Sequence, residues 1–148
     1  MKHNLHLQSK KYSEKELEDN IGLFDEYDWH AICYAQILSE KFIEKHSDKI
    51  NWNIISYCQF LSERFIEKHW NKVDWKTIAI KQELSEKFIE KHMLHMDKIT
   101  WNFISRYQKL SEEFIKKHIN KLELNNLFNN KKVSEETKNE IKLLKEVI

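Results

Sequence analysis

Four histidines, His46, His69, His92 and His118, recur at one position of a repeated motif, each four residues after a phenylalanine. Imidazoles bind metals and move protons, so such a column invites a metal-binding or catalytic reading. Either chemistry needs the rings to converge on one point. Equivalent residues of stacked helices instead stand about 8–10 Å apart, a ladder that no single metal ion bridges. Near the end of a short helix, each histidine reads as a structural group favoured by the helix dipole and packed on its phenylalanine. His92 and His95 lie three residues apart and could share a face, but two ligands without a third make an incomplete site.

Other recurring polar residues divide in the same way. Gln36, Gln59, Gln82 and Gln108 fall on an apolar helical face, where a glutamine is expected to satisfy loop carbonyls of the neighbouring unit. Trp29, Trp52, Trp75 and Trp101 read as core residues; the competing reading is a stacking platform for bases. Lys49, Lys72, Lys98 and Lys121 form one basic column, and Lys45, Lys68, Lys91 and Lys117 another. A nucleic acid would use them as phosphate contacts. However, Glu40, Glu63, Glu86 and Glu112 recur as regularly on the same helices, the pattern of a solvated face. Cys33 and Cys58 occupy different repeat positions and read as reduced thiols in a reducing compartment. The chain has no nucleophile elbow, phosphate-cradling glycine loop or Cys/His metal spacing. The expectation is a non-enzymatic protein with no catalytic residues, no cofactor and no metal.

The elements that carry these columns come from a repeat. Leu38-Ser-Glu-Lys-Phe-Ile-Glu-Lys-His46 returns from Leu61, from Leu84 and, as Leu-Ser-Glu-Glu-Phe-Ile-Lys-Lys-His, from Leu110. Repeats begin at Tyr12, Leu38, Leu61, Leu84 and Leu110, with lengths of 26, 23, 23, 26 and 23 residues. From the tryptophan position to the next repeat is always nine residues, so the length variation lies before the tryptophan. Three extra residues are about one helical turn, which predicts a longer first helix or a bulged loop in repeats one and four.

Each repeat predicts two short helices. Ser39, Ser62, Ser85 and Ser111 are N-caps of the first, and Leu38 with Ile43 has the spacing of a hydrophobic staple. Phe occupies the third helical position, so the reciprocal capping box is missing. The second helix is expected to start at the tryptophan, after Asp28, Asn51, Asp74 or Thr100. Helices this short need stacked neighbours to persist in water.

Composition agrees. One Gly and no Pro in 148 residues point to an all-α chain, and 25 basic against 24 acidic residues leave no global field for nucleic acid or anionic lipid. The expected architecture is a short helix-turn-helix repeat solenoid in a single domain. Residues 1–11 form an N-terminal arm, 12–132 five repeats, and 133–148 a capping helix whose apolar face runs through Ile141, Leu144 and Ile148 beside Leu143 and Val147. Met1 to Lys11 lacks the apolar core of a signal peptide and no stretch is long and apolar enough to span a membrane, which predicts a cytoplasmic protein with no membrane partner.

Positions that differ between repeats point to partners. Offsets 1, 5 and 8 from the tryptophan read His30/Tyr34/Ile37, Asn53/Tyr57/Phe60, Lys76/Ile80/Glu83 and Asn102/Arg106/Lys109. Tyr34, Ile37, Tyr57, Phe60, Ile80, Arg106 and Lys109, with Trp70 in a loop, are the candidate partner-binding residues. Met93, Leu94 and Met96 are further candidate anchors. The competing reading of these flanks is that they widen the core.

The unit Leu-Ser-Glu-x-Phe-Ile-x-Lys-His, followed by Asp/Asn-Lys-Ile/Val-x-Trp and then Gln, resembles a short repeat of giant DNA viruses and some bacteriophages. The match is close from Leu38 to Gln108 and looser in repeats one and five. It implies helical-repeat proteins, viral or prophage origin, a binding role toward a host or viral protein in the host cytoplasm, and no active site. By analogy of origin, such a protein blocks a host defence component such as a CRISPR effector. The alternative is a nucleic-acid- or nucleotide-binding module that uses the lysine columns.

Overall fold

The computed structural model describes residues 4–146, with side chains through residue 143. Its regular elements are all helical, eleven α-helices and two 3-10 turns with no strand among the described residues. Helices α1 (Glu14–Asp19) and α2 (Glu26–Ala35) belong to repeat one, α3 (Glu40–Lys45) and α4 (Trp52–Cys58) to repeat two, α5 (Glu63–Lys68) and α6 (Trp75–Lys81) to repeat three. Repeat four supplies α7 (Glu86–His92) and α8 (Lys98–Tyr107), repeat five α9 (Glu112–Lys117) and α10 (Leu124–Phe128), and α11 (Glu135–Glu146) follows. The helices gather into two compact lobes, one ending at Asp74 and the other starting at Trp75. Within the first, α4 packs beside α2; within the second, α8 packs between α6 and α10.

The serine caps form as the sequence predicts. Ser39, Ser62, Ser85 and Ser111 each accept the backbone N–H of the phenylalanine three residues on. The carboxylate that a capping box would add comes from the preceding repeat. Glu14 accepts the Ser39 N–H and hydroxyl, Glu40 accepts the Ser62 N–H, and Glu86 accepts both groups of Ser111. The glutamate column expected to be a solvated face is therefore also a set of inter-repeat caps. In α1 Glu16 sits at the third helical position, and Ser13 and Glu16 close the box locally.

The expectation for the longer repeats needs correction. From the first-helix C-cap to the second-helix N-cap is five residues in repeat one (Asn20 to Asp25) and in repeat two (His46 to Asn51). The loop is not bulged. The three extra residues lengthen the second helix at its start, so α2 and α8 have 10 residues where α4 and α6 have 7. Their N-caps are Asp25 and Asp97, one turn before the expected Asp28 and Thr100. Asp28 instead closes a capping box with Asp25, and Thr100 donates N–H and hydroxyl to Asp97 at 2.8 and 2.7 Å.

Isoleucines make the core. Ile43, Ile66, Ile89 and Ile115 of the first helices, and Ile32, Ile55, Ile78 and Ile104 of the second, are completely buried. Leu17 and Leu127 continue the two rows. The staple residues Leu38, Leu61, Leu84 and Leu110 are buried beneath the caps. At the C-terminal end, Ser134 caps α11 and Ile141 is buried while Leu143 is exposed. The side chains of Leu144, Val147 and Ile148 lie outside the described residues.

Second helices end without glycine, and among the described residues none has a positive φ. The last carbonyls of α2, α6 and α8 are taken by the next repeat's amide side chain. Gln59 Nε2 donates to Cys33 O and Gln36 O at 3.0 and 2.8 Å, while its Oε1 accepts the Leu38 N–H at 3.0 Å. Gln108 does the same to Ala79 O, Gln82 O and the Leu84 N–H. Asn130 donates to Ser105 O and Gln108 O, both at 2.8 Å. Gln36 clips the N-terminal segment in the same manner, donating to Leu7 O and Lys10 O and accepting the Tyr12 N–H. Leu7 is buried, and Lys10 N closes a helical bond on His6 O. The expected arm is thus a single hydrogen-bonded turn over residues 6–10, clipped by Gln36 as the ends of second helices are clipped further along. Because the clip holds three backbone groups in a site 5 % exposed, Gln59→Leu is expected to cost about 2–4 kcal/mol in urea unfolding, against under about 0.5 for Lys41→Ala. A loss below about 1 kcal/mol would show that water replaces the clip.

Candidate functional site

The histidine column is structural in its geometry. His46 lies 4.6 Å from Phe42 and 5.3 Å from Trp29 between ring centroids, and its Nε2 is 2.8 Å from Glu18 of the preceding repeat. His118 repeats this with Phe114, Trp101 and Glu90, again at 2.8 Å. His69 packs on Phe65 and Trp52; its Nε2 is 3.3 Å from Glu44, close enough for Coulomb attraction but poorly aligned for a hydrogen bond. The same carboxylates take Lys45, Lys117 and Lys68. In repeats one, two and four, one glutamate therefore receives a lysine and a histidine from the next repeat.

The other lysine column is engaged as well. Lys72 and Lys121 lie over the rings of Trp52 and Trp101, 5.3 and 5.7 Å from the centroids, and Lys49 is 3.7 Å from Asp48. Cys33 stands at the repeat position held elsewhere by Ser56 and Ser105. These serines donate to the tryptophan carbonyl one turn back and accept the N–H of the next second helix's N-cap residue, Asp74 or Glu123. The Asn51 N–H is directed at the Cys33 sulfur in the same way, and burial pushes this thiol above its ordinary pKa. Among the described residues no three His, Cys, Asp or Glu side chains are arranged to hold a metal ion; the His92 and His95 rings stand 6.1 Å apart.

The outer face of the second helices carries the exposed apolar residues of the first lobe. In the first lobe Tyr34, Ile37, Tyr57 and Phe60 are 65, 79, 55 and 93 % exposed. Tyr34 and Tyr57 hold equivalent positions on the neighbouring helices α2 and α4, and Ile37 and Phe60 follow them at the helix ends, so the four form one apolar ridge. Tyr27, which the sequence reading missed, joins them at 85 % exposed. It falls in a loop if the helix starts at Trp29. Because α2 begins one turn earlier, Tyr27 and Tyr34 are seven residues apart on one helical face. Beside Tyr27 a hollow of about 370 Å³ opens between α2 and the N-terminal segment, lined in part by Leu5, Leu7, Asp28 and Ala31.

The other candidates do not extend this ridge within the first lobe. Trp70 is half-exposed on the loop after α5. In the second lobe Ile80 on α6 and Arg106 on α8 are half-buried, and Lys109 is exposed just past α8. Of the loop anchors, Leu94 is exposed and Met96 buried, while Ile99 and Tyr107 on α8 are exposed apolar residues that the sequence reading did not single out.

The chain matches no protein-family model, no curated protein and no solved structure.

The carboxylate ladder sets an acid limit on the fold. Lys45 and then His46 hold Glu18 below its ordinary 4.5, Lys68 does so for Glu44, and His118 with Lys117 for Glu90. A group whose pKa is depressed by folding contributes stability that is fully present above the unfolded value and lost as pH falls through the folded one. Urea midpoints should therefore hold steady above about pH 5 and fall below about pH 4.5. Glu44→Gln should lessen the acid-induced fall; an unchanged slope would show that the ladder adds nothing.

Proposed function

We propose that this chain is a non-enzymatic helical-repeat protein that binds another protein through the exposed ridge of its first lobe. One observation carries the reading: Tyr27, Tyr34, Ile37, Tyr57 and Phe60 share a face while every row of isoleucines is buried. Together these side chains present on the order of 700 Å² of exposed surface, close to the ~800 Å² that each side of a standard interface buries. Aromatic anchors of this kind are the residues that dominate interface energetics. Viral origin follows from the resemblance of the repeat, and it makes a host protein the class of partner, a defence component such as a CRISPR effector among them.

A nucleic-acid role is the second reading, and the ridge gives it little support. Helix α2 reads EYDWHAICYA and α4 reads WNIISYC, so neither carries a Lys or Arg to meet phosphates. Most of the recurring lysines already face glutamates or tryptophan rings of this chain.

Capture from host lysate with the intact chain and with a Tyr57→Ala/Phe60→Ala variant tests the reading. The variant should recover at least tenfold less partner, while its melting temperature stays within about 2 °C of the parent. Tight binding to short DNA or RNA, with log affinity falling steeply against log salt, would favour the second reading instead.

A further inference from the structure

One of the four repeat tryptophans breaks a pattern that the others keep. Twenty residues after each comes a side chain that, in three repeats, lies on the tryptophan ring. Lys72 stands over Trp52 at 5.3 Å from the centroid, the His95 ring stacks on Trp75 at 6.2 Å, and Lys121 stands over Trp101 at 5.7 Å. Lys49 is the corresponding residue for Trp29, yet among the described residues no lysine or arginine stands over that ring. The Lys49 ammonium lies instead 3.7 Å from the Asp48 carboxylate. Asn71 and Asn120 precede Lys72 and Lys121, so of these three lysines only Lys49 follows an acid that draws it aside.

A hollow of about 810 Å³ opens at this place, within the first lobe. Phe24, Asp25, Glu26, Trp29, Asp48 and Lys49 line it. Phe24 meets the Trp29 ring edge-on, with centroids 6.0 Å apart, and makes a second aromatic wall. Repeat four has an equally long second helix, with Met96 at the position of Phe24, and there Lys121 still covers its tryptophan. The extra turn is therefore not what keeps Lys49 off. Nor does burial of the ring bar a cation, since Trp101 under Lys121 is 4 % exposed and Trp29 is 6 %. Of the acids, Asp25 accepts the Asp28 N–H at 3.0 Å. The Glu26 carboxylate has no hydrogen bond or ion pair among the described residues, and Asp48 has the long one to Lys49.

We infer that this hollow binds an organic ammonium cation, whose charge takes the place at Trp29 that Lys72 and Lys121 take at their tryptophans. An alkylated ammonium turns its methyl or methylene groups to the two rings and its charge to Glu26 and Asp48. Its aliphatic body rests beside Ile21 and Gly22, where a Cβ on the glycine would meet nothing within 4 Å. Lys49 is the internal competitor, and Asp48 keeps the site open by pairing with it. The cation is carried by a free small molecule or by a methylated lysine side chain of a protein. The hollow shares no residue with the exposed ridge, so the two readings stand or fall separately.

Choline, its uncharged tert-butyl analogue and a trimethyllysine peptide test the site, each titrated into the full chain while the Trp29 indole N–H is followed by NMR. Choline should shift that signal and bind about fivefold or more tighter than the uncharged analogue. Lys49→Ala should tighten choline binding severalfold. Asp48→Asn should weaken it severalfold, and Asp48→Asn/Lys49→Ala should recover most of that loss, because the freed lysine is what closes the site. Gly22→Trp, which fills the hollow, should abolish binding. Thermal melts check that the variants are folded; Glu26→Gln, expected to bind severalfold more weakly, replaces Gly22→Trp if that variant melts early. A peptide that binds more tightly than choline assigns the cation to a protein side chain, and the reverse order assigns it to a small molecule. Equal binding of the uncharged analogue, or binding that ignores the hollow variant, would overturn the inference. So would the absence of any shift with either cation up to about 50 mM.

Discussion

Buried amide side chains tie one repeat to the next within each lobe. A helix leaves its last carbonyls without partners, and proteins commonly end helices on a glycine whose left-handed conformation lets the chain turn back to cap them. This chain has a single glycine and no residue at positive φ among those described. The amide of Gln59 or Gln108 replaces that device, bonding two carbonyls of the preceding second helix and the first N–H of its own repeat. Its donors and acceptor match the three groups. A helix end satisfied in this way can continue straight into the next repeat in extended backbone. The near-absence of Gly and the buried glutamine are thus two sides of one constraint.

A second constraint works through carboxylates. Each first helix is only 6 or 7 residues long, too short to persist alone, and its capping serine lacks a local glutamate partner. Glutamates of the preceding repeat supply the missing bonds, one at the serine and another at the lysine and histidine that end the helix. Repeat one closes its box with its own Glu16. These exposed pairs are individually weak, and each joins one repeat to the next. The recurring polar residues are largely engaged in this way, and the exposed apolar residues fall at positions that vary.

Much of the exposed ridge was legible in the sequence. Tyr34, Ile37, Tyr57 and Phe60 stand out because they lie beside the tryptophan and glutamine stripe and change from repeat to repeat. Tyr27 was hidden, because its exposure depends on a helix that starts at Glu26, and Asp28 before Trp29 imitates the N-cap that Asp25 provides. A capping box with an aspartate at both ends offers two plausible starts, and only the packed structure chooses. Arg106 and Ile80 share the offset of Tyr34 and Tyr57 yet are half-buried, which the offset alone does not foretell.

The sequence by itself determined the helices, their serine caps, the repeat boundaries and the buried rows, since each depends on residues within one turn or one helical period. The tertiary structure decided where the three extra residues of repeats one and four go, which carboxylate meets which serine, lysine or histidine, and that Gln36 clips residues 7–12. The last two outcomes rest on bonds between groups 21 to 29 residues apart, and spacing within one repeat carries no record of them. The exposed ridge belongs to both. Its residue types are in the sequence, while its continuity comes from α2 gaining a turn and packing beside α4.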